Sequence, residues 1–179
     1  MRRKRRLPAI ATVLALLLAP CVAGIAQAGG PEQQALSAVK ADQIVVLKGS
    51  RTLWLLRAGQ VVQSFRVALG PDPRGHKRAQ GDGRTPEGRY VIDGRNPESK
   101  FYRSLHISYP NEEDRAMAEA AGRSPGGQIM IHGLPNGLEI IGQTHARSDW
   151  TEGCIAVTNE EIDILWHSIE DGTPIDILP

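Results

Sequence analysis

Cys154 has the residue type and the setting of a reactive nucleophile. It follows Gly153 at the end of a polar loop and precedes the apolar run Ile155–Val157, a predicted short strand. A thiol at the end of a loop is accessible to substrate, and a preceding glycine lets the backbone bend so that its N–H groups face the site. Such groups can stabilise the oxyanion of a tetrahedral intermediate. The placement therefore favours acyl transfer through a thiol over a buried structural cysteine.

A cysteine nucleophile needs a base, because the thiolate attacks and a free cysteine has a pKa of about 8.5. Among the five histidines, His132 is the candidate, since it ends the apolar run Ile129–Ile131 and is followed by Gly133. The other four lie in predicted loops, a strand and the last helix: His76, His106, His145 and His167. We expect the first and the last to be solvated or hydrogen-bonded structural residues. The roles of the other two stay open.

A metal site built from Cys154 and histidines is the competing interpretation of the same residues. Zinc ligands usually occur as closely spaced pairs such as C-x₂-C or H-x₃-H. None of the five histidines is paired in this way. We therefore expect no metal ion and no other cofactor.

The N-terminus has the three parts of a secretory signal peptide. Basic residues fill Arg2–Arg6, an uncharged run follows from Leu7 to Ala19, and Ala26-Gln27-Ala28 offers a cleavage site. The run is too short for a membrane span, which takes about 20 apolar residues. A lipoprotein is disfavoured because a proline precedes Cys21. We expect residues 1–28 to be cleaved and the rest to be exported to the periplasm or cell envelope, without a stable membrane anchor.

Cleavage changes both the charge and the thiol count. The lost segment carries five basic residues and no acidic ones, so the formal net charge changes from +1 to −4. The remaining chain therefore lacks the excess of basic residues that would suggest nucleic-acid binding. Cys21 also leaves, so Cys154 has no partner for an internal disulfide. An odd cysteine in a secreted protein implies an intermolecular bridge, a buried inert thiol or a reactive thiol.

The elements that must position these residues are mostly strands. Residues 29–41 form a lead-in segment with helical character, and residues 42–179 form one predicted domain. Runs rich in β-branched and aromatic residues predict strands at 43–48, 52–57, 61–69, 88–93, 104–109, 128–132, 138–141, 154–157 and 173–178. Helices are predicted from Asn111 to Gly122 and behind the capping box Thr158–Glu161. The expected fold class is mainly β, a single β-sandwich or flattened barrel with one or two packed helices.

The ordered motifs resemble the L,D-transpeptidase (YkuD-type) catalytic domain. Ile131–Gly133 and, after a spacer, Ser148–Val157 resemble its active-site signature of His-Gly followed by Ser/Thr-x-Gly-Cys. Three upstream stretches resemble its opening hairpin, third strand and Thr-Pro-x-Gly stretch: Ile44–Leu55, Val67–Gly70 and Gly81–Tyr90. The set covers residues 42–178, with Glu152 and Ala156 at positions where the family commonly has other residues.

The resemblance implies a role for each matching residue. Cys154 would attack the carbonyl of the third residue of a peptidoglycan tetrapeptide stem and release the terminal D-alanine. His132 would be its proton donor and acceptor, and the carbonyl of Gly133 would help to orient the imidazole. The backbone N–H of Gly153, with that of Cys154, would form the oxyanion hole. Three neighbouring residues are candidate substrate contacts: Arg147, Trp150 and Thr151.

The group that resolves the thioester is open at this point. It would be the amine of a neighbouring stem's diamino acid or a lipoprotein lysine, which makes the chain a transpeptidase. With water as the acceptor, the same fold would be a hydrolase that trims stems or detaches lipoproteins. A non-catalytic cell-wall binding module is the third possibility.

Overall fold

The computed structural model describes residues 40–179. The predicted signal peptide and nearly all of the lead-in segment therefore lie outside the described residues. One eight-stranded sheet dominates. Its strands are β1 Gln43–Leu47, β2 Thr52–Arg57, β3 Gln60–Arg66, β4 Gly88–Ser99, β5 Tyr102–Ile107, β6 Met130–His132, β7 Ile155–Ala156 and β8 Pro174–Leu178. Two α-helices, α1 Glu112–Ala120 and α2 Asn159–Ser168, and a 3₁₀ segment, Glu139–Arg147, complete the described elements.

The strand order is β3-β2-β1-β8-β4-β5-β6-β7. Pairing is antiparallel except for β1 with β8 and β6 with β7, which are parallel. The β2–β3 hairpin shows how local sequence sets the register, because Arg57 pairs with Gln60 across a two-residue turn. Both turn residues, Ala58 and Gly59, have positive φ. Turns of this kind match the right-handed twist of the strands that they join.

The two ends of the sheet are joined by a bridge between Ala68 and Ala156. The Ala68 N–H donates to the Ala156 carbonyl at 3.0 Å, and the Ala156 N–H donates back at 2.9 Å. Ala68 follows β3, at one end of the sheet, and Ala156 belongs to β7, at the other end. The sheet therefore curves towards a flattened barrel, and the predicted mainly β fold class is confirmed.

Buried and less buried residues alternate along the strands, and the buried ones form the core. Ile44 and Val46 of β1 and Ile175 and Ile177 of β8 are fully buried, with less buried residues between them. Helix α2 packs on β5 and β6 and buries Ile162, Ile164 and Leu165. Within residues 40–179, no helix has the length and apolar character needed to cross a membrane.

Both predicted helices form, and their first turns are fixed by side chains. The Asn111 side chain accepts from the Asp114 N–H, and the Asp114 side chain accepts from the Asn111 N–H. The two bonds together make a capping box. The predicted capping box at Thr158 and Glu161 is present at the start of α2. Such reciprocal bonds satisfy the free N–H groups at a helix start.

The strand predicted at 138–141 is wrong, because this stretch belongs to the 3₁₀ segment. Ile140 is 96% exposed, so its apolar side chain packs neither against the sheet nor into the core. Gly137 and Gly142, on either side, have positive φ and turn the chain away from an extended path. The predicted strand at 61–69 is also shorter, ending at Arg66, because the chain then leaves β3 to reach Ala156.

Two glycines bring the 71–84 loop into direct backbone contact with the segment before Cys154. A Cβ on Gly70 would lie 2.1 Å from the Gly83 carbonyl oxygen, and a Cβ on Gly153 would lie 2.3 Å from the Arg84 carbonyl oxygen. Neither position has room for a side chain. The loop that precedes β4 thus fixes the backbone on which the cysteine is carried.

We predict that Gly70→Ala lowers the free energy of unfolding by about 1–3 kcal/mol, as overpacking typically does. Gly49→Ala is the matched control, because its Cβ would meet Pro179 at an ordinary 3.6 Å and should change stability by less than about 0.5 kcal/mol. Urea unfolding measures both. Equal losses in the two variants would show that the backbone contact is not tight.

Candidate active site

Parallel pairing of β6 with β7 brings His132 and Cys154 to one face of the sheet. Ile131 pairs with Ile155, and His132 pairs with Ala156. Ile131 and Ile155 are fully buried in the core. Because side chains alternate along strands, His132 and Cys154, the residue just before β7, face the opposite side. The predicted base at the end of β6 and the predicted nucleophile just before β7 thus share a face.

The imidazole of His132 is held in one orientation. Its Nδ1 lies 2.7 Å from the Gly133 carbonyl oxygen. A carbonyl can only accept, so Nδ1 carries the proton and Nε2 is left as the acceptor. Phe101 lies 4.4 Å from the imidazole between ring centroids, and Trp150 lies 5.7 Å away at an angle of 65°. The ring is fixed in the tautomer that suits a general base.

Gly133 is needed for a second reason besides its carbonyl. A Cβ at this position would lie 2.6 Å from Oδ1 of Asn159 and 3.0 Å from the carbonyl of Phe101. Asn159 Oδ1 also accepts from the Leu134 N–H. The segment after His132 is therefore packed against the start of α2, which leaves no room for a side chain.

Burial keeps both reacting groups uncharged at rest. His132 is 3% exposed, and burial lowers the pKa of its imidazole to about 4, more than the Gly133 hydrogen bond raises it. Burial also raises the pKa of the Cys154 thiol, although the Met130 N–H and the charge of Lys77 act in the opposite direction. Near neutral pH the thiol and the imidazole are therefore both uncharged.

The N–H of Gly153 is not free for an oxyanion. It donates to Thr151 Oγ1 at 3.2 Å, and that hydroxyl donates to the Cys154 carbonyl at 2.8 Å. Thr151 is 6% exposed and holds the turn together through these two hydrogen bonds, while its contact with substrate stays a prediction. Within residues 40–179 the Cys154 N–H has no acceptor. Of the two N–H groups predicted to form an oxyanion hole, that of Cys154 is therefore the one that this turn leaves free.

Two further predicted contacts differ in their surroundings. Trp150 is half-buried and packs against both Phe101 and His132, so it helps to hold the imidazole in place. Arg147 is exposed and takes part in no ion pair within the described residues. His145 is 4% exposed, and its charge would oppose protonation of His132.

Two of the remaining histidines, His76 and His106, are held by contacts with other residues. His76 Nδ1 contacts the backbone of Glu87 at 3.0 Å, and its Nε2 lies 3.0 Å from Asp114 Oδ1. His106, on β5, pairs with Asp93. The structural role predicted for His76 fits these contacts.

Asp149 is a supporting residue that the sequence did not reveal. Its carboxylate accepts from Arg51 Nε at 3.1 Å and from Nη2 at 2.6 Å, and also from the Leu69 N–H at 2.9 Å. The Thr151 N–H donates to the Leu69 carbonyl. These bonds fasten the loop before Cys154 to the hairpin of β1 and β2 and to the chain after β3.

A cavity of about 490 Å³ opens beside the thiol. Cys154 lines it together with Lys77, Gln128 and Glu152. The Cys154 thiol also lies 3.5 Å from the Gln128 carbonyl oxygen. This volume is within the range of small-molecule sites, about 300–1,000 Å³. A group of small-molecule size can therefore reach the sulfur.

We predict that Asp149→Asn destabilises the protein by about 1–3 kcal/mol, the range for a hydrogen bond to a charged group. The variant keeps an acceptor for Leu69 but loses the ion pair with Arg51. Asp171→Asn is the control, because the Asp171 side chain that pairs with Arg95 is 58% accessible, and the change should alter stability by at most about 1 kcal/mol. Urea unfolding decides between them, and a smaller loss for Asp149→Asn would contradict the assigned role.

We also predict that iodoacetamide alkylates Cys154 with a midpoint pH above that of a free cysteine, because burial raises the thiol pKa. Glu152→Gln removes a negative charge that disfavours the thiolate, so its midpoint should lie lower than in the wild type. Glu160→Gln, exposed on α2, should leave the midpoint unchanged. A wild-type midpoint below that of free cysteine would instead indicate a preformed thiolate.

Comparison with known proteins places this geometry in a family. The YkuD family, described as the L,D-transpeptidase catalytic domain, matches residues 41–177. YafK of Escherichia coli K12, whose name assigns it provisionally to the L,D-transpeptidases, is 29% identical over 174 residues, covering 89% of this chain and 63% of YafK. The chain thus spans less than two thirds of the curated relatives that it matches.

Two solved structures share the fold. The helical cell shape determining protein Pgp2 of Campylobacter jejuni gives a TM-score of 0.55 at 21% identity, over 81% of this chain and 53% of Pgp2. Bd1075 of Bdellovibrio bacteriovorus gives 0.53 at 24% identity, over 79% and 49%. The family match spans all eight strands up to Ile177 and includes both His132 and Cys154. This chain belongs to the L,D-transpeptidase (YkuD-type) catalytic domain family.

Proposed function

We propose that this protein is a peptidoglycan L,D-transpeptidase that forms a thioester between Cys154 and a tetrapeptide stem. The observation that carries the proposal is the tautomer of His132. Its Nδ1 is bound to the Gly133 carbonyl oxygen at 2.7 Å, which leaves Nε2 as a base on the face that Cys154 shares. Membership of the family supplies the substrate class.

Acylation begins from the neutral pair. The Cys154 sulfur attacks the carbonyl carbon of the third stem residue while His132 Nε2 takes the thiol proton. The Cys154 N–H receives the developing oxyanion. When the tetrahedral intermediate collapses, the bond to the terminal D-alanine breaks and its nitrogen takes the proton from His132. Free D-alanine leaves, and a thioester remains on the enzyme.

Deacylation reverses the proton transfers. An amine of a second stem attacks the thioester carbonyl and gives a proton to His132. The carbon–sulfur bond then breaks, the new amide forms, and the proton returns to the cysteine sulfur. A lipoprotein lysine would react through the same steps, and water in place of the amine would make the protein a hydrolase.

The low pKa of His132, about 4, suits this cycle at neutral pH. The imidazole is unprotonated before each attack and therefore able to accept a proton. As pH falls towards 4, protonation of Nε2 removes the base. Export to the periplasm or cell envelope is part of the proposal, because the substrate lies there, and it rests on residues 1–28.

We predict a covalent adduct between a carbapenem and Cys154, seen as one added inhibitor mass on the intact protein. Cys154→Ala should form no adduct. His132→Gln should acylate more slowly by about 10²–10⁴-fold, the usual contribution of a general base. A non-catalytic module would show no adduct in any variant, and this result would overturn the proposal.

The acceptor is identified by incubating the protein with a purified disaccharide-tetrapeptide and analysing the products by mass spectrometry. Cross-linked dimers identify a transpeptidase, and tripeptides alone identify a hydrolase. Adding a peptide that ends in lysine tests the lipoprotein acceptor by formation of a mixed product. Cys154→Ala is the control for all three reactions.

A further inference from the structure

The Cys154 thiol is held by the backbone of the segment that leads into β6. Its Sγ lies 3.5 Å from the Gln128 carbonyl oxygen, which is its one hydrogen-bond acceptor within residues 40–179. A carbonyl can only accept, so the sulfur carries the proton in this contact. The Met130 N–H also lies close enough to act on the sulfur. Two backbone groups, two residues apart, thus face the thiol.

Strand geometry explains why these two groups point to the thiol. The intervening residue, Ile129, directs its carbonyl to β5, where it accepts from the Ile107 N–H at 2.9 Å. Backbone groups of successive residues point to opposite edges of a strand. The Gln128 carbonyl and the Met130 N–H therefore point to the other edge, where β7 is paired with β6.

The pairing of β6 with β7 stops at Gly153. Its N–H donates to Thr151 Oγ1, and its φ of 119° departs from the extended conformation of a strand. The pairing therefore does not reach the Gln128 carbonyl. The Cys154 thiol donates to this carbonyl in place of a backbone N–H, so the side chain completes the hydrogen bonding at the end of the strand pair.

Gln128 itself has a backbone conformation that side chains rarely adopt. Its φ is 57°, in the left-handed region, where residues other than glycine are uncommon. Its side chain is exposed, so packing of that side chain does not account for the conformation. Strained backbone of this kind persists only where the surroundings fix it, and it is frequent at active sites.

Contacts just before Gln128 fix this conformation. The buried Tyr109 donates through its hydroxyl to the Pro125 carbonyl at 2.9 Å. A Cβ on Gly126 would lie 3.2 Å from Gln80 Cα, so the loop that contains Gln80 packs tightly against this segment. Strand β6 then begins two residues after Gln128. The position of its carbonyl is therefore determined from both directions along the chain.

We propose that Gln128 is a positioning residue, whose left-handed backbone aims its carbonyl at the Cys154 thiol and holds the thiol in a protonated resting orientation. The thiol turns away from this carbonyl when its proton passes from the sulfur to Nε2 of His132. That nitrogen is free to accept, because within the described residues only Nδ1 of His132 has a hydrogen-bond partner. The inference goes beyond the proposed function, since it concerns the resting thiol and holds for any acyl group that the sulfur receives.

A purely structural explanation is that Gln128 only turns the chain into β6. Loss of its conformation would then lower stability without changing the thiol. Ala58 offers a matched control, because it also has a positive φ, 49°, but lies in the β2–β3 turn and outside the cavity that Cys154 lines. A valine at either position is strained in the same way, since β-branched residues disfavour positive φ.

The first measurement is the S–H stretching band in the Raman spectrum, with the same protein carrying Cys154→Ala subtracted so that only this thiol contributes. A hydrogen-bonded thiol has a lower S–H frequency than a free one. We expect the lower frequency in the wild type and in Gln128→Gly, because glycine adopts this φ without strain and keeps the carbonyl in place. Gln128→Val should shift the band to higher frequency, whereas Ala58→Val should not.

The second measurement is the rate of alkylation by iodoacetamide at a fixed pH below the midpoint. Loss of the carbonyl contact removes an acceptor that stabilises the neutral thiol. Gln128→Val should therefore react faster by about 2- to 10-fold, the factor that corresponds to one net hydrogen bond. Gln128→Gly and Ala58→Val should react at the wild-type rate. Urea unfolding establishes that each variant is folded.

Two results would overturn the proposal. A wild-type band at the frequency of a thiol without a hydrogen bond means that the Gln128 carbonyl does not hold the thiol. This measurement needs no substitution at Gln128, so it decides even if Gln128→Val does not fold. Equal bands and equal alkylation rates in Gln128→Val and the wild type mean that the residue only turns the chain. Neither measurement uses a carbapenem or a peptide stem, so failure of the proposed function would be seen separately.

Discussion

The site depends on a contact between two stretches of backbone. The 71–84 loop lies against the chain at Gly70 and Gly153 so closely that a Cβ on either glycine would be within 2.3 Å of a carbonyl oxygen. Gly153 also has a φ of 119°, a conformation that favours glycine. The direction in which Cys154 leaves the loop is set by this contact. The same loop supplies Lys77, so one packing arrangement positions both the nucleophile and the cation beside it.

Loops without regular hydrogen bonding need other bonds to hold such a contact, and here two carboxylates provide them. Asp82 accepts hydrogen bonds from three backbone N–H groups of its own loop. Burial alone would raise the pKa of Asp82, but these donors and Lys77 lower it to about 2. In the loop before Cys154, Asp149 accepts hydrogen bonds from the Arg51 side chain and from the Leu69 N–H. These carboxylates hold the loops in place, as the hydrogen bonds between neighbouring strands hold the sheet.

Features encoded locally were predictable from the sequence, whereas those that arise from tertiary contacts were not. Strand alternation and the capping box at Thr158 depend on near neighbours, and both are present. The strand predicted at 138–141 is wrong because an apolar run alone cannot show that Ile140 would be exposed. Asp149 and Lys77 gain their roles from partners or a cavity brought together by the fold. The competition of Thr151 Oγ1 for the Gly153 N–H likewise appears only in three dimensions.

Burial of the catalytic pair has two opposite effects on its chemistry. It keeps His132 neutral and ready to accept a proton, but it also raises the pKa of the Cys154 thiol. A stable thiolate–imidazolium pair is thus disfavoured, and in the proposed reaction proton transfer has to accompany attack on the carbonyl. The charges of Lys77 and Glu152 act on the thiolate in opposite directions.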